Sequence, residues 1–180
     1  DPVNRQTFFT YDEHGNLSQI SDPLGSLGPN HTQFSYTPQG LLTEIMDPLQ
    51  NKTTFTYDAA GNLKTTTDPL LETTALDYDS AGNVTRSEDA LGHITEFQYD
   101  SMNRLIQVRD SNLSLTQYKY DPSGNLTEVM DAKGNKTQFQ YDSLNQLAKA
   151  VDPLLRETQF FYDEAGNLAR TIDRMGQTID

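Results

Sequence analysis

The stretch YDAAGNLKTTTDPL, residues 57–70, holds two turn signals on either side of a short run of Leu, Lys and Thr. Close copies of it begin at Tyr78, Tyr99, Tyr120, Tyr141 and Tyr162, so it has to be read as part of a series. Aligned on that tyrosine, the chain runs Tyr11, Tyr36, Tyr57, Tyr78, Tyr99, Tyr120, Tyr141 and Tyr162, one interval of 25 residues followed by six of 21. A fixed period of this size marks a repeat architecture, and no motif inside it can be given a role until the period is recognised. Other columns keep step. Thr stands four residues before every tyrosine, from Thr7 to Thr158, and an aromatic stands two before, with Leu76 the exception. Asp follows the tyrosine everywhere except at Thr37, Leu or Val84 comes six after it, and an Asp comes eleven after it from Asp22 to Asp173. The one long interval reads as a lengthened loop near Ser26-Leu27-Gly28-Pro29.

Each column has a physical reading. In Thr53-Thr54-Phe55-Thr56-Tyr57 the large residues alternate with polar ones, the period-two pattern of a half-buried strand. Asp-x-x-Gly-Asn then supplies a carboxylate that can accept a turn hydrogen bond and a glycine where the chain needs positive φ, as in a type I turn closed by a left-handed residue. Where that glycine is missing, Asn103 and Asn145 replace it, and Asn is the non-glycine residue that best tolerates the left-handed region. A second strand starts at the Leu column, as in Leu126-Thr127-Glu128-Val129-Met130, and stops at Asp-Pro-Leu-Gly or a variant. There Pro presets a turn φ and cannot continue a paired strand.

Two strands and two turns per repeat make an all-β antiparallel meander, a single array over residues 1–180 with about eight repeats. Open twisted sheets rarely exceed about ten strands without curling, so the sheet is expected to coil into a spiral or barrel-like shell. Tyr and Phe of one strand are expected to stand beside Leu-column residues of the next, in pairs of roughly 0.2–1 kcal/mol each. Asp1-Pro2 falls in the Asp-Pro column of a preceding repeat and Thr178-Ile179-Asp180 stops inside a next strand, so the chain reads as a slice of a longer array. Two unpaired edges would invite pairing with further repeats or other copies.

Composition narrows the function classes. Only 34% of the 180 residues are hydrophobic and there is no Trp, so any core is thin or shared. Thirteen basic against 26 acidic residues give a net charge of −13, which repels phosphate backbones and anionic lipid. No apolar run approaches the roughly 20 residues of a membrane span, and any export signal would lie outside this sequence. The absence of cysteine excludes disulfides, thiolate metal sites and a cysteine nucleophile.

Tyr-Asp-x-x-Gly-Asn-Leu followed by Asp-Pro-Leu, as in Tyr57 to Leu70, and the segment Asp131 to Asp142 closely resemble the YD repeats of Rhs proteins. That family includes bacterial polymorphic toxins, toxin-complex subunits and the animal teneurins, and the resemblance covers essentially the whole chain. The Asp-Pro-Leu-Gly linkers look bacterial rather than teneurin-like. The family's usual Arg after the turn glycine is Asn here in five repeats and Arg only at Arg104, a departure that bears on subfamily more than fold. The resemblance implies a β-sheet wound into a hollow shell, often enclosing a C-terminal toxin delivered to competing cells or hosts.

Every suggestive residue group also has a structural reading. The recurring aspartates offer oxygen ligands of the kind Ca²⁺ takes, but those beside tyrosine and proline fall in separate turns, which favours turn capping. Asp22-Pro23-Leu24-Gly25 superficially matches the family's self-cleaving Asp-Pro-x-Gly segment, yet here the pattern is a repeat linker. His14, His31 and His93 occupy three different repeat positions with no partner at ligand or triad spacing. Seven Asn-x-Ser/Thr triplets, such as Asn51-Lys52-Thr53, arise from the repeat itself. Stacked tyrosines could offer a glycan platform, though packing is the simpler role. The expectation is therefore a noncatalytic wall with no catalytic, cofactor or metal residues, secreted or on a bacterial surface, that encloses a toxin or effector. A self-assembling fibre, or an adhesion module binding glycan or protein, is the alternative. Nucleic acid and membrane insertion are excluded as partners.

Overall fold

The computed structural model describes residues 6–21 and 31–179, so the Asp1-Pro2 column, the lengthened loop near Ser26 and the Asp22-Pro23-Leu24-Gly25 linker lie outside the described residues. Seventeen strands follow one another, with no helix among the described residues. Contacts divide the chain into two compact units, Asp1–Ile94 and Thr95–Asp180. The first carries β1 (Phe8–Tyr11), β2 (Leu17–Ser21), β3 (His31–Tyr36), β4 (Leu42–Met46), β5 (Lys52–Tyr57), β6 (Leu63–Thr67), β7 (Thr73–Tyr78) and β8 (Val84–Glu88). The second carries all but the first residue of β9 (Ile94–Tyr99), then β10 (Leu105–Arg109), β11 (Leu115–Tyr120), β12 (Leu126–Met130), β13 (Lys136–Tyr141), β14 (Leu147–Val151), β15 (Glu157–Tyr162), β16 (Leu168–Ile172) and β17 (Thr178–Ile179). Within each unit every strand pairs antiparallel with the next in sequence, the all-β meander that the repeat predicts.

The register explains the columns. Thr53, Phe55 and Tyr57 share one face of β5, where Thr53 opposes Ile45 and Phe55 opposes Thr66. Tyr57 opposes Leu63, and the register shifts between Thr56 and Tyr57. That shift is a β-bulge: one extra residue on the partner strand breaks the strict alternation and keeps the Leu column on the tyrosine's side. Only the tyrosine therefore stands opposite the Leu column. The aromatic two residues earlier opposes a residue three further along the partner, Ile45 against Phe34 and Val129 against Tyr118, because the bulge displaces the pairing.

The opposite face is polar. Lys52 there reaches Glu44 at 3.1 Å, Thr56 and Thr65 share a hydroxyl bond of 2.6 Å, and Lys149 meets Glu157 at 2.9 Å. These cross-strand pairs are exposed or half-exposed, and pairs of that kind contribute little each. Neither face is removed from water: no apolar residue is buried among the described residues. Side chains of a single layer cover one another only sideways, so the Phe, Tyr and Leu columns are half-buried. Stability is spread over many small equal terms along the array.

Candidate functional site

Among the described residues, the two kinds of turn in the repeat are built on one plan. In the Tyr-Asp turn, Asp58 Oδ1 accepts the backbone N–H groups of Ala60 and Asn62, each at 2.9 Å. The backbone adds Gly61 N–H to the Asp58 carbonyl oxygen at 3.1 Å and Asp58 N–H to the Asn62 carbonyl oxygen at 2.9 Å. In the Asp-Pro turn, Asp68 does the same with Leu70 and Glu72. The chain closes each turn through a left-handed residue: Gly61 at φ 89°, Asn103 at 60° and Asn145 at 62° in the first kind. In the second kind the position holds Gly92, Gly134 and Gly176, but also Gln50, Leu71, Leu113 and Leu155, all at positive φ. The sequence marks the glycines and asparagines and misses Gln50, Leu71, Leu113 and Leu155, because Leu and Gln carry no left-handed signal of their own. Thr37, the departure from Asp, takes the same role, its Oγ1 accepting Gln39 N–H at 3.2 Å and Leu41 N–H at 3.1 Å.

The residue after the left-handed position completes the turn. Asn62 Nδ2 donates to Asp58 Oδ2 at 3.0 Å, and that side chain, with the Asn62 backbone N–H second, holds the Asp58 carboxyl below the usual aspartate range. The asparagines of Asn-x-Ser/Thr triplets at Asn16, Asn51, Asn83, Asn125 and Asn135 spend their amides in this way. Arg104 takes the same place with more reach. Its Nε binds Asp100 Oδ2 at 2.7 Å, its Nη1 binds the Asp121 carbonyl oxygen of the next repeat at 3.0 Å, and its guanidinium lies 4.8 Å from the Tyr120 ring centre.

Within each unit the strand ladder joins one repeat to the next, and the tyrosines add a side-chain tie. Tyr57 donates its hydroxyl to the Leu42 carbonyl oxygen at 2.8 Å, and Tyr36, Tyr78, Tyr120, Tyr141 and Tyr162 do the same to the Leu-column residue of the repeat before. A bulge stands where each accepting residue begins its strand, so its carbonyl lies at a break in the ladder and accepts from a side chain instead. For Tyr141, burial and then the nearby Asp121 charge push the hydroxyl's pKa up and keep it a donor. Sequence reasoning places these rings on the half-buried face but misses the hydroxyl. Its signal lies in the contrast between columns, since Tyr stands at that position in every repeat while the column two before accepts Phe, Tyr and Leu76.

Glu128 in β12, the one buried residue among those described at 8% exposure, sits on the polar face. Lys119 at 2.9 Å, Gln138 at 3.2 Å and Lys136 at 3.5 Å surround it. The hydrogen bond from Lys119, then that from Gln138, draws its pKa down against the opposing effect of burial. The histidines are scattered. His31 meets Gln33 at 2.9 Å, His93 Nδ1 lies 2.8 Å from Asp89 Oδ2, and His14 enters its turn through its backbone N–H to Asp12. Among the described residues no three His, Asp or Glu side chains gather where a metal ion could be held. The aspartates beside tyrosine and those beside proline lie at opposite ends of the strands, since successive meander turns alternate between the two edges.

No curated protein matches the chain in sequence. Among solved structures it is similar to the crystal structure of TcdB2-TccC3-Cdc42, with 21% identity and a TM-score of 0.71 over 90% of this chain and 11% of that one. The Photorhabdus luminescens Tc holotoxin pore bearing a TccC3 mutation is similar at 20% identity and a TM-score of 0.71, over 93% of this chain and 11% of that one. At such identities the likeness is one of fold, and the chain spans about a tenth of the length of these relatives. The family described as the teneurin YD-shell matches from residue 3 to residue 172. Eight tyrosine-centred repeats, their paired Asp turns and the match over nearly the full length together make this chain a member of the teneurin YD-shell family.

Proposed function

We propose that this chain is a noncatalytic stretch of shell wall, one array over residues 1–180 within a longer one, coiled so that the full-length protein encloses and carries a toxin or effector. The observation that carries this reading is the use to which the recurring side chains are put. Asp58 closes its own turn, the Asn62 amide donates a hydrogen bond to Asp58, and Tyr57 ties its repeat to the one before. Chemistry-bearing residues are thus committed to folding at the same positions in repeat after repeat, and where Thr37 replaces Asp the bonds survive. The resemblance to a Tc holotoxin pore supports a carrier role in a secreted or surface-displayed bacterial protein. A net charge of −13 favours solubility and disfavours nucleic acid and anionic lipid.

Limited proteolysis of the full-length protein tests the proposal. The segment C-terminal to the wall should resist protease in the intact protein and be digested when expressed alone. Equal digestion rates in the two settings would sink the carrier reading.

A further inference from the structure

We propose that Asn112 is an acceptor site for an N-linked oligosaccharide, transferred onto the folded chain from a polyprenyl diphosphate carrier. Seven Asn-x-Ser/Thr triplets share the acceptor pattern, and the pattern alone does not rank them. The structure ranks six, Asn30 lying outside the described residues. Asn16, Asn51, Asn83, Asn125 and Asn135 follow the left-handed residue of their turns, and each donates its side-chain Nδ2 to the turn aspartate at 2.8–3.0 Å. Hydrogen bonds to a charged acceptor are the strong ones. Asn112 stands two places earlier in its turn, in the column of Leu49, Leu70, Leu91 and Leu154, which are 72–81% exposed. Its backbone N–H donates to Asp110 Oδ1 at 2.9 Å, while its side-chain amide is exposed and has no partner among the described residues. Exposure alone does not separate the sites, since Asn51 and Asn135 are exposed too. The amide hydrogen bond does.

Strand boundaries sort the triplets the same way. A transferase has to hold the asparagine together with the hydroxyl residue two further on. In the five committed triplets the last two residues belong to β2, β5, β8, β12 and β13, so presenting them means peeling a strand from its ladder. Asn112-Leu113-Ser114 lies wholly in the turn before β11 begins at Leu115. Ser114 enters that turn through its backbone N–H, 2.9 Å from Asp110 Oδ1, which leaves its hydroxyl uncommitted. Exposed loop tips are where enzymes reach a folded chain. Asp110 also stands two residues before Asn112, and no other triplet has an acidic residue there, so a transferase that reads one selects the same site. In the transfer, Asn112 Nδ2 bonds to the anomeric carbon of the first sugar and the bond from that carbon to the diphosphate oxygen breaks. The electron pair leaves on the diphosphate, and one amide proton passes to a base of the transferase. No hydrogen bond of the repeat is given up.

Cell-free glycosylation of the folded full chain tests this, with a purified oligosaccharyltransferase that reads Asn-x-Ser/Thr and a short-chain polyprenyl diphosphate oligosaccharide as donor. Asn30→Gln is built in so that only the six ranked triplets remain. Intact mass should show one glycan, peptide mapping should place it on Asn112, and Asn112→Gln should abolish it. Synthetic peptides of the six triplets give each site its unfolded rate. Relative to those, Asn112 should keep most of its rate in the folded chain, whereas the other five should drop by about tenfold or more, the equivalent of one hydrogen bond to a charged group. Leu70→Asn with Glu72→Thr sets a new triplet in the same column ahead of β7, and that chain should take a second glycan at position 70. An Asn112 left unmodified in the folded chain, or committed asparagines modified as fast as Asn112, would overturn the inference. It stands apart from the carrier reading, because glycan transfer and cargo protection are read independently and either can fail alone.

Discussion

Tyr57→Phe keeps the ring on the half-buried face and removes only the hydroxyl that reaches the Leu42 carbonyl oxygen. One hydrogen bond of this kind is worth about 1 kcal/mol net, and the orphaned carbonyl is half-exposed, so the loss should stay near that figure. Urea unfolding should show a lower midpoint with an unchanged slope. A tyrosine that merely filled space would give no change. Leu71→Gly should act in the other direction. It relieves a left-handed L-residue, about 1–2 kcal/mol, and the flexibility that glycine gives the unfolded chain offsets about half of that. A small gain in stability is expected, whereas Gly124→Ala, at φ 94°, should destabilise in the same assay. These residues also show where the sequence is transparent. Gly and Asn at the Tyr-Asp turn announce positive φ because few other residues tolerate it. Leu71 does not, because its conformation is imposed by Asp68, whose carboxylate and backbone hold the turn from three residues away. The tyrosine's acceptor lies 15 residues back, across a bulge whose position depends on register, and no local pattern displays it.

At the scale of the turn, the carboxylates make stability depend on pH. Asp12, Asp47, Asp58, Asp79, Asp131 and Asp163, among others, are held below the ordinary aspartate value, through the side chain or backbone N–H of the Asn four residues on. A carboxyl whose folded pKa is depressed contributes stability that is present above its unfolded value, about 3.9, and lost as pH falls through the folded one. Protonation also relieves the self-repulsion of a chain with net charge −13, which works the other way. At physiological salt, repulsion between exposed charges is largely screened beyond about 8 Å, while the turn bonds at 2.8–3.0 Å are not. The bonds should therefore win. Melting temperature should be level from neutral pH to about pH 5 and fall below about pH 4. A melting temperature that holds or rises down to about pH 2 would show that repulsion outweighs the turns.

The molecule as a whole behaves as a series of interchangeable units, so a cut of one period should heal. Removing residues 63–83 joins Asn62 to Val84 and brings β8 opposite β5 in the place of β6. Tyr57 then faces Val84 as Tyr78 now does, and Phe55 faces Ser87 as Leu76 now does, so every side chain stays on its own face. Removing residues 64–83 instead, one residue fewer, leaves Leu63 in front of Val84 and shifts β8 by one position. Because side chains alternate along a strand, that slip turns Arg86 and Glu88 toward the apolar face and Ser87 toward the polar one. The first deletion should keep the β-sheet circular dichroism and a cooperative melt a few degrees lower, since it loses one repeat's share of small equal terms. The second should melt far lower or fail to fold. Similar melting of the two proteins would mean that register is not what holds neighbouring repeats together, and the bulge at each tyrosine would lose the role given to it here.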